Sequence, residues 1–195
     1  MGTLFVDNIK HESAQGSGTI TLGASGETVQ AASGVTNNIG IGMLDQWMIP
    51  TSQSISADTV TTVNSSWTRQ SLQFDNIGLG LTESSGIFSF PVTGTFFLTF
   101  ISQVSDATDM RYIQWENFAS TDSGSSYDLL TKVYTHIKTT TTTTFSNITG
   151  SCAFKVTDTS TFRLKFAVAA DEAFDLAGNA TSMRTGFQVM RVGDT

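Results

Sequence analysis

The stretch Thr82–Phe100, TESSGIFSFPVTGTFFLTF, is the most apolar part of the chain and holds one of its two prolines. The segments ESSG and PVTG predict turns, because Gly, Ser and Pro favour the backbone conformations that turns need. The apolar residues between and after them are β-prone. The stretch therefore predicts short strands separated by tight turns.

Residues 94–105 carry apolar side chains on both faces of the predicted strand. Phe96, Leu98 and Phe100 share one face, whereas Phe97 and Ile101 share the other, because side chains alternate along a strand. A sandwich strand needs only one apolar face, since the other usually meets water. The second face predicts a cover, and a symmetric copy is the simplest one. The predicted trimer-interface candidates, which include two residues of 110–119, are Phe96, Phe97, Phe100, Ile101, Tyr112 and Trp115.

Strand-like runs recur downstream and are separated by short polar turns. They cover residues 72–81, 86–92, 94–105, 110–119, 127–138, 150–157, 161–170 and 185–192. About eight strands without a convincing helix favour an all-β fold, and the length suits an antiparallel β-sandwich of jelly-roll topology. The run KTTTTTTF at 138–145 either extends a strand or forms an exposed loop.

The residue composition changes along the chain and suggests three regions. Residues 1–42 contain short β-prone pieces separated by Gly and Ser, which predicts an extended β-rich arm ordered by assembly. Residues 43–66 are interpreted as a connecting segment that enters the head. Residues 67–195 are predicted to form the jelly-roll head.

The composition excludes several classes of partner. Only 14% of residues are charged, against about 25% in typical soluble domains, which favours a protein that hides surface in an assembly. Net charge is −7 and the basic residues are scattered, so nucleic acid and anionic membranes are poor candidates. No apolar run approaches the length of a membrane span. A single cysteine, Cys152, predicts no internal disulfide.

The N-terminus lacks the apolar core of a secretory signal. The sequons at Asn64, Asn147 and Asn179 are therefore interpreted as chance matches, and the chain is expected to fold in a reducing cytoplasm.

No pattern of catalytic residues stands out, so the chain is predicted not to be an enzyme and to need no cofactor. His11 and His136 lie far apart, and no G-x-S-x-G elbow is present. A glycosidase needs two convergent carboxylates, and nothing in the sequence brings together the glutamates of the head, Glu83, Glu116 and Glu172. Turn roles are favoured over cation binding for the acidic loop residues, which are Asp122, Asp128, Asp171, Glu172 and Asp175.

The segment SGIFSFPVTGTFFLTF resembles the tumour-necrosis-factor and complement-globular-head jelly roll. Its pattern G-x-[FY]-x-[FV]-P-x-x-G-x-[FY] is carried by Gly86, Phe88, Phe90, Pro91, Gly94 and Phe96. The segments GSCAFKVTDTSTFRLKFAV and TGFQVMRVGDT resemble the family's late strands, so the resemblance covers about residues 66–195. It implies a homotrimer packed around an axis.

Residues 1–47 resemble the N-terminal regions of structural proteins of tailed bacteriophages. The combination predicts a non-enzymatic virion protein, made in the host cytoplasm, that is a trimeric surface fibre, knob or capsid-decoration protein. Residues 1–42 would dock on other virion proteins, and the head would contact a host receptor or glycan through its loops. The alternatives are a free-standing carbohydrate- or receptor-binding jelly roll and, ranked last, a β-sandwich enzyme.

Overall fold

The computed structural model describes residues 41–64, 66–69, 76–139 and 142–194 of the chain. These residues belong to one compact unit, Asn38–Thr195. The arm predicted over residues 1–42 lies outside the described residues, apart from its last two positions. Within the described ranges, no helix is long and apolar enough to cross a membrane.

Every regular element of the described residues is a β-strand. The strands, in chain order, are β1 (Met43–Met48), β2 (Gln53–Ile55), β3 (Thr61–Thr62), β4 (Thr68–Arg69), β5 (Ile77–Gly78), β6 (Thr82–Ser84), β7 (Ile87–Ser89), β8 (Gly94–Asp106), β9 (Met110–Ser120), β10 (Asp128–Ile137), β11 (Thr144–Val156), β12 (Arg163–Ala170), β13 (Phe174–Leu176) and β14 (Gly186–Gly193).

The strands form two antiparallel sheets. Sheet A has the order β2-β13-β8-β14-β1-β4, with β11 along the other edge of β8 and β5 beside β1. Sheet B has the order β10-β9-β12-β7-β6, with β3 also paired to β12. The inner faces of both sheets contribute to one apolar core. This arrangement confirms the predicted antiparallel sandwich.

The opening stretch crosses from one sheet to the other. Strands β6 and β7 form a hairpin of sheet B, whose two turn residues, Ser85 and Gly86, have φ values of 54° and 82°. Positive φ at both central positions is the signature of a type I′ turn, whose twist matches that of the flanking strands. The segment between β7 and β8 then carries the chain into sheet A.

Aromatic side chains fill the space between the sheets. One cluster packs with ring centroids 4.6 to 5.8 Å apart; it consists of Trp47, Trp67, Phe88, Phe166 and Phe187. A second cluster consists of Phe90, Phe96, Phe154 and Phe162. Each such burial stabilises the fold by about 1.5–3 kcal/mol. Most of the aromatic excess of the sequence is therefore core.

Two regions take a definite place in the sheets. Residues 43–66, interpreted from sequence as a connecting segment, supply β1, β2 and β3, and β1 lies between β14 and β4. Within the threonine run, β11 begins at Thr144 and continues to Val156. The end of that run thus extends a strand.

Candidate functional site

The outer face of sheet A carries three uncharged rows of side chains. Strand pairing aligns the first row across five strands; it consists of Ile77, Leu44, Met190, Phe97 and Ala153. The second row is polar but neutral and consists of Gln46, Gln188, Thr99 and Ser151. The third row consists of Met48, Gly186, Ile101 and Thr149. These three rows are called the sheet A outer face below.

Several apolar side chains of this face are open to water. Phe97 is 38% exposed and Ile77 is 44% exposed, whereas Phe96 and Leu98, on the inner side of β8, are fully buried. A cavity of about 140 Å³ opens beside Ile101 and Gly186. The face therefore combines apolar bands with a depression and lacks charge over its three rows, as surfaces that become covered do.

The six predicted interface residues lie in three places. Phe96, Phe100 and Trp115 are buried between the sheets, where Phe100 and Trp115 stack at 5.6 Å. Phe97 and Ile101 point outward on the sheet A outer face, and Tyr112 lies on the outer side of sheet B. The structure thus does not bring the six together, and the two outward residues of β8 share one surface.

The outer side of sheet B has a different chemistry. The Nζ atom of Lys132 lies 2.7 Å from Oε1 of Glu116 and 5.5 Å from the ring centroid of Tyr134. Gln114 donates from Nε2 to the same Oε1 atom at 3.4 Å. The rings of Tyr112 and Tyr134 meet edge to face with centroids 6.4 Å apart. These five residues are called the tyrosine patch.

Burial differs sharply within the tyrosine patch. Glu116 is 5% exposed and Gln114 is 8% exposed, although both side chains leave the outer side of β9, whereas Tyr134 is 61% exposed. The hydrogen bond from Lys132 to Glu116 raises the pKa of the ammonium group, so Lys132 is charged. The patch thus presents an open ring beside an ion pair in which the carboxylate is recessed and the ammonium group reaches the surface.

Another buried carboxylate, which was not among the residues predicted from the sequence, lies on the inner side of β1. Asp45 is fully buried and accepts from Trp47 Nε1 at 2.9 Å, Arg69 Nε at 2.9 Å, Arg69 Nη2 at 3.0 Å and Leu81 N at 2.7 Å. The Arg69 guanidinium also lies 4.4 Å from the Trp47 ring centroid. This clasp ties β1 to β4 and to the residue before β6. A carboxylate flanked by apolar residues in MLDQWM was the available signal.

Of the acidic residues predicted to lie in turns, Asp128 begins β10 and Asp175 lies within β13, and most of the group have protein partners. Asp122 accepts from Ser120 Oγ at 2.6 Å and from the backbone and hydroxyl of Ser126, and the Ser120 hydrogen bond leads the causes that lower the Asp122 pKa. Asp171 accepts from Arg111 Nε at 2.7 Å, and Asp175 from Ser54 Oγ at 2.7 Å. The described ranges contain no group of three or more His, Cys, Asp or Glu placed to hold a metal ion.

The remaining titratable candidates lie apart from each other. Glu83 accepts from the backbone N of Gly86 at 2.6 Å and so belongs to the β6–β7 hairpin. Glu172 is exposed in the turn before β13. His136 is exposed on β10 and lines a cavity of about 280 Å³ with Lys138, whose side chain pairs with Asp109.

Comparisons with known proteins identify structures that have a similar fold. No family model and no curated protein matches the sequence. The structure is similar to Eiger TNF from S. frugiperda, with a TM-score of 0.60 and 12% identity over 78% of this chain and 93% of that one. It is also similar to murine APRIL at pH 5.0, with a TM-score of 0.52, 11% identity and coverage of 77% and 98%. A second murine APRIL structure, at pH 8.0, gives a TM-score of 0.53 at 13% identity with the same coverage. The chain therefore has the jelly-roll fold of tumour-necrosis-factor-like domains.

Proposed function

We propose that this chain is a non-enzymatic structural protein that assembles as a homotrimer, with the sheet A outer face turned toward the other copies. The observation that carries this proposal is the absence of charge from three consecutive rows that span β1, β14, β8 and β11. The side of a sheet that faces water normally carries polar and charged residues. In the middle row Gln188 donates to Gln46, so these amides are already paired within the chain. Apolar bands that flank paired polar groups suit a packed interface.

The charge distribution supports the choice of this side over the other. Only 14% of the residues are charged, and the chain has ten Lys and Arg residues in all. Two of the lysines, Lys132 and Lys165, leave the outer side of sheet B, where water can solvate them. On the outer side of sheet A, the exposed Lys155 of β11 lies one row beyond Ala153 and so borders the three uncharged rows. The uncharged rows gain from being covered.

The choice of three copies rests on the fold and on the sequence resemblance. The tumour-necrosis-factor and complement-head jelly rolls that residues 66–195 resemble imply three copies around an axis. A ring of identical head-to-tail contacts closes at three copies when each rotation is 120°.

A single substitution tests the interface. Phe97→Lys places a charge in the middle of the first row, and because Phe97 is already 38% exposed, the subunit fold should survive. We expect a folded monomer by light scattering and circular dichroism. The matched control is Val60→Lys, at a 57% exposed position before β3 of sheet B, which should leave the oligomer intact. A Phe97→Lys protein that keeps the wild-type mass would rule out this face.

The place of the trimer is proposed to be the surface of a tailed-phage virion, as a fibre, a knob or a decoration protein. Support comes from residues 1–47, which resemble the N-terminal regions of phage structural proteins. Residues 1–42 would dock on other virion proteins after synthesis in the host cytoplasm, and the head would face the host. Deleting residues 2–42 should leave a folded head that no longer copurifies with particles; a truncated head that still incorporates would refute the docking role.

The alternative is a free-standing carbohydrate- or receptor-binding jelly roll. The tyrosine patch favours a binding role for the head and is compatible with either setting. Association of the full chain with particles distinguishes the two, because a free-standing module would stay in the soluble fraction.

A further inference from the structure

The tyrosine patch lies on the side of the sandwich that the proposed trimer leaves open. Tyr134 projects from β10 and Glu116 from β9, so the patch rests on two paired strands and not on a loop. Sites built on regular elements hold their geometry better than sites on loops. Tyrosine also offers a large contact area with few rotatable bonds, so that little entropy is lost on binding.

The aromatic ring of Tyr134 is exposed and yet held in place. Lys132 lies against the ring, and the edge-to-face contact with Tyr112 supports it from the next strand. The face of an aromatic ring carries partial negative charge. It therefore attracts C–H groups that carry partial positive charge, such as those on the apolar face of a sugar ring.

The recessed groups beside the ring complement a hydroxyl-rich ligand. Oε1 of Glu116 accepts hydrogen bonds from both Lys132 and Gln114, whereas Oε2 accepts none from the described residues. An ionised carboxylate oxygen is a strong acceptor, and an ammonium group has three donors. Neighbouring hydroxyl groups can donate to Oε2 and accept from Lys132 at the same time.

The charges within the tyrosine patch indicate which class of ligand it can bind. Glu116 and Lys132 neutralise each other within 2.7 Å, so the patch offers no unpaired charge to an ionic ligand. Glu116 is almost fully buried, and a small hydroxyl group reaches such a recessed acceptor more easily than a bulky side chain does. We propose that the tyrosine patch binds a neutral carbohydrate, with one sugar ring stacked on Tyr134 and adjacent hydroxyl groups on Glu116 and Lys132.

This inference rests on the proposed function in one respect, namely that the open side of the head meets the host. The test uses the full-length chain on a printed panel of neutral hexose and N-acetylhexosamine oligosaccharides, with sialylated and sulfated oligosaccharides as a second group. Neutral oligosaccharides that bind are then titrated by calorimetry. We expect Tyr134→Ala to weaken binding about tenfold or more and Tyr134→Phe, which keeps the ring, to stay within about threefold of wild type.

The control is Leu129→Ala, at an exposed apolar position on the same strand. It should leave affinity unchanged, and circular dichroism should show that all variants are folded. The proposal is overturned by a panel on which no neutral oligosaccharide binds, by binding of acidic oligosaccharides alone, or by equal affinity of wild type and Tyr134→Ala. Light scattering on the same samples distinguishes the two proposals. A trimer that binds no sugar rules out the carbohydrate site but not the trimer, whereas a monomer that binds sugar rules out the trimer but not the carbohydrate site.

Discussion

Replacing Asp45 by asparagine removes the charge from the clasp that ties β1 to β4 and Leu81. The wild-type carboxylate satisfies four donor groups, and two of them, Trp47 Nε1 and Leu81 N, belong to residues that are at most 7% exposed. An asparagine offers one acceptor oxygen and presents an NH₂ group to the remaining donors. The asparagine oxygen can take the place of Oδ2 and keep the hydrogen bonds from Trp47 Nε1 and Leu81 N, but the NH₂ group then faces Arg69 Nε, which loses its acceptor.

The expected loss in the free energy of unfolding can be estimated in two ways. A donor that loses its acceptor costs about 1–3 kcal/mol, and breaking a buried ion pair costs about 3–5 kcal/mol. The Arg69 side chain is 37% exposed and can turn toward water, so we expect the lower end, about 3 kcal/mol. For a chain of this size that corresponds to a fall in Tm of about 6–12 °C.

The assay is urea and thermal unfolding, followed by tryptophan fluorescence at one fixed protein concentration, because oligomer stability depends on concentration. Arg69→Met leaves a buried carboxylate uncompensated, so Asp45→Asn should be much less harmful in that background than in wild type. We expect a coupling energy of about 1–3 kcal/mol. Additive effects, within about 0.5 kcal/mol, or a loss below about 1 kcal/mol for Asp45→Asn, would refute the reasoning.

Two further predictions concern turns. Gly86→Ala should destabilise the fold by about 1–2 kcal/mol, because φ is +82° and the added Cβ would lie 2.6 Å from Val63 O. Ser85→Asn should be neutral or stabilising, since Asn tolerates positive φ. Equal unfolding midpoints for Gly86→Ala and wild type would contradict the first expectation. Hydrogen bonds, chiefly from Ser120, lower the Asp122 pKa, so the stabilisation of its loop should be present above about pH 4 and lost as the pH falls through the lowered pKa. The protection of the Ser126 amide, measured as its exchange rate relative to the intrinsic rate at the same pH, should therefore fall in acid for wild type. It should not change with pH in Asp122→Asn, and identical profiles of protection against pH would speak against the role of the carboxylate.

Local patterns were sufficient to predict much of the fold. In TFRLKFAVAA, alternation predicts that Phe162, Leu164, Phe166 and Val168 point inward, and all four are at most 3% exposed. In the predicted turn ESSG, Ser85 and Gly86 do form the turn, whereas Glu83 and Ser84 belong to β6. The predicted turn PVTG lies between β7 and the start of β8 at Gly94. Periodicity and turn chemistry are local properties, so a single sequence carries them.

The pairing of strands from distant parts of the chain could not be predicted in this way. Alternation shows that Phe97 and Tyr112 face away from their core neighbours, but not that they lie on opposite sheets. That difference depends on which strands pair, which is a long-range property. The short strands β2, β3 and β13 are stabilised by their neighbours and carry little signal of their own.

The tyrosine patch and the Asp45 clasp escaped prediction for the same reason. Glu116 and Lys132 are 16 residues apart in the sequence, and their contact follows from the register of β9 with β10. Asp45 and Arg69 are joined only because β1 pairs with β4. Candidate residues could be recognised by type, but the structure was needed to show which of them meet.

Sedimentation equilibrium of the full-length wild-type chain at micromolar concentration tests whether the chain is a trimer. The uncharged sheet A outer face predicts association, and the resemblance to trimeric jelly rolls predicts three copies, so we expect a stable assembly of three times the 20.9 kDa chain mass. That mass should not change on dilution to the lowest measurable concentration. A species with the mass of one chain would contradict the account, and so would one with the mass of two.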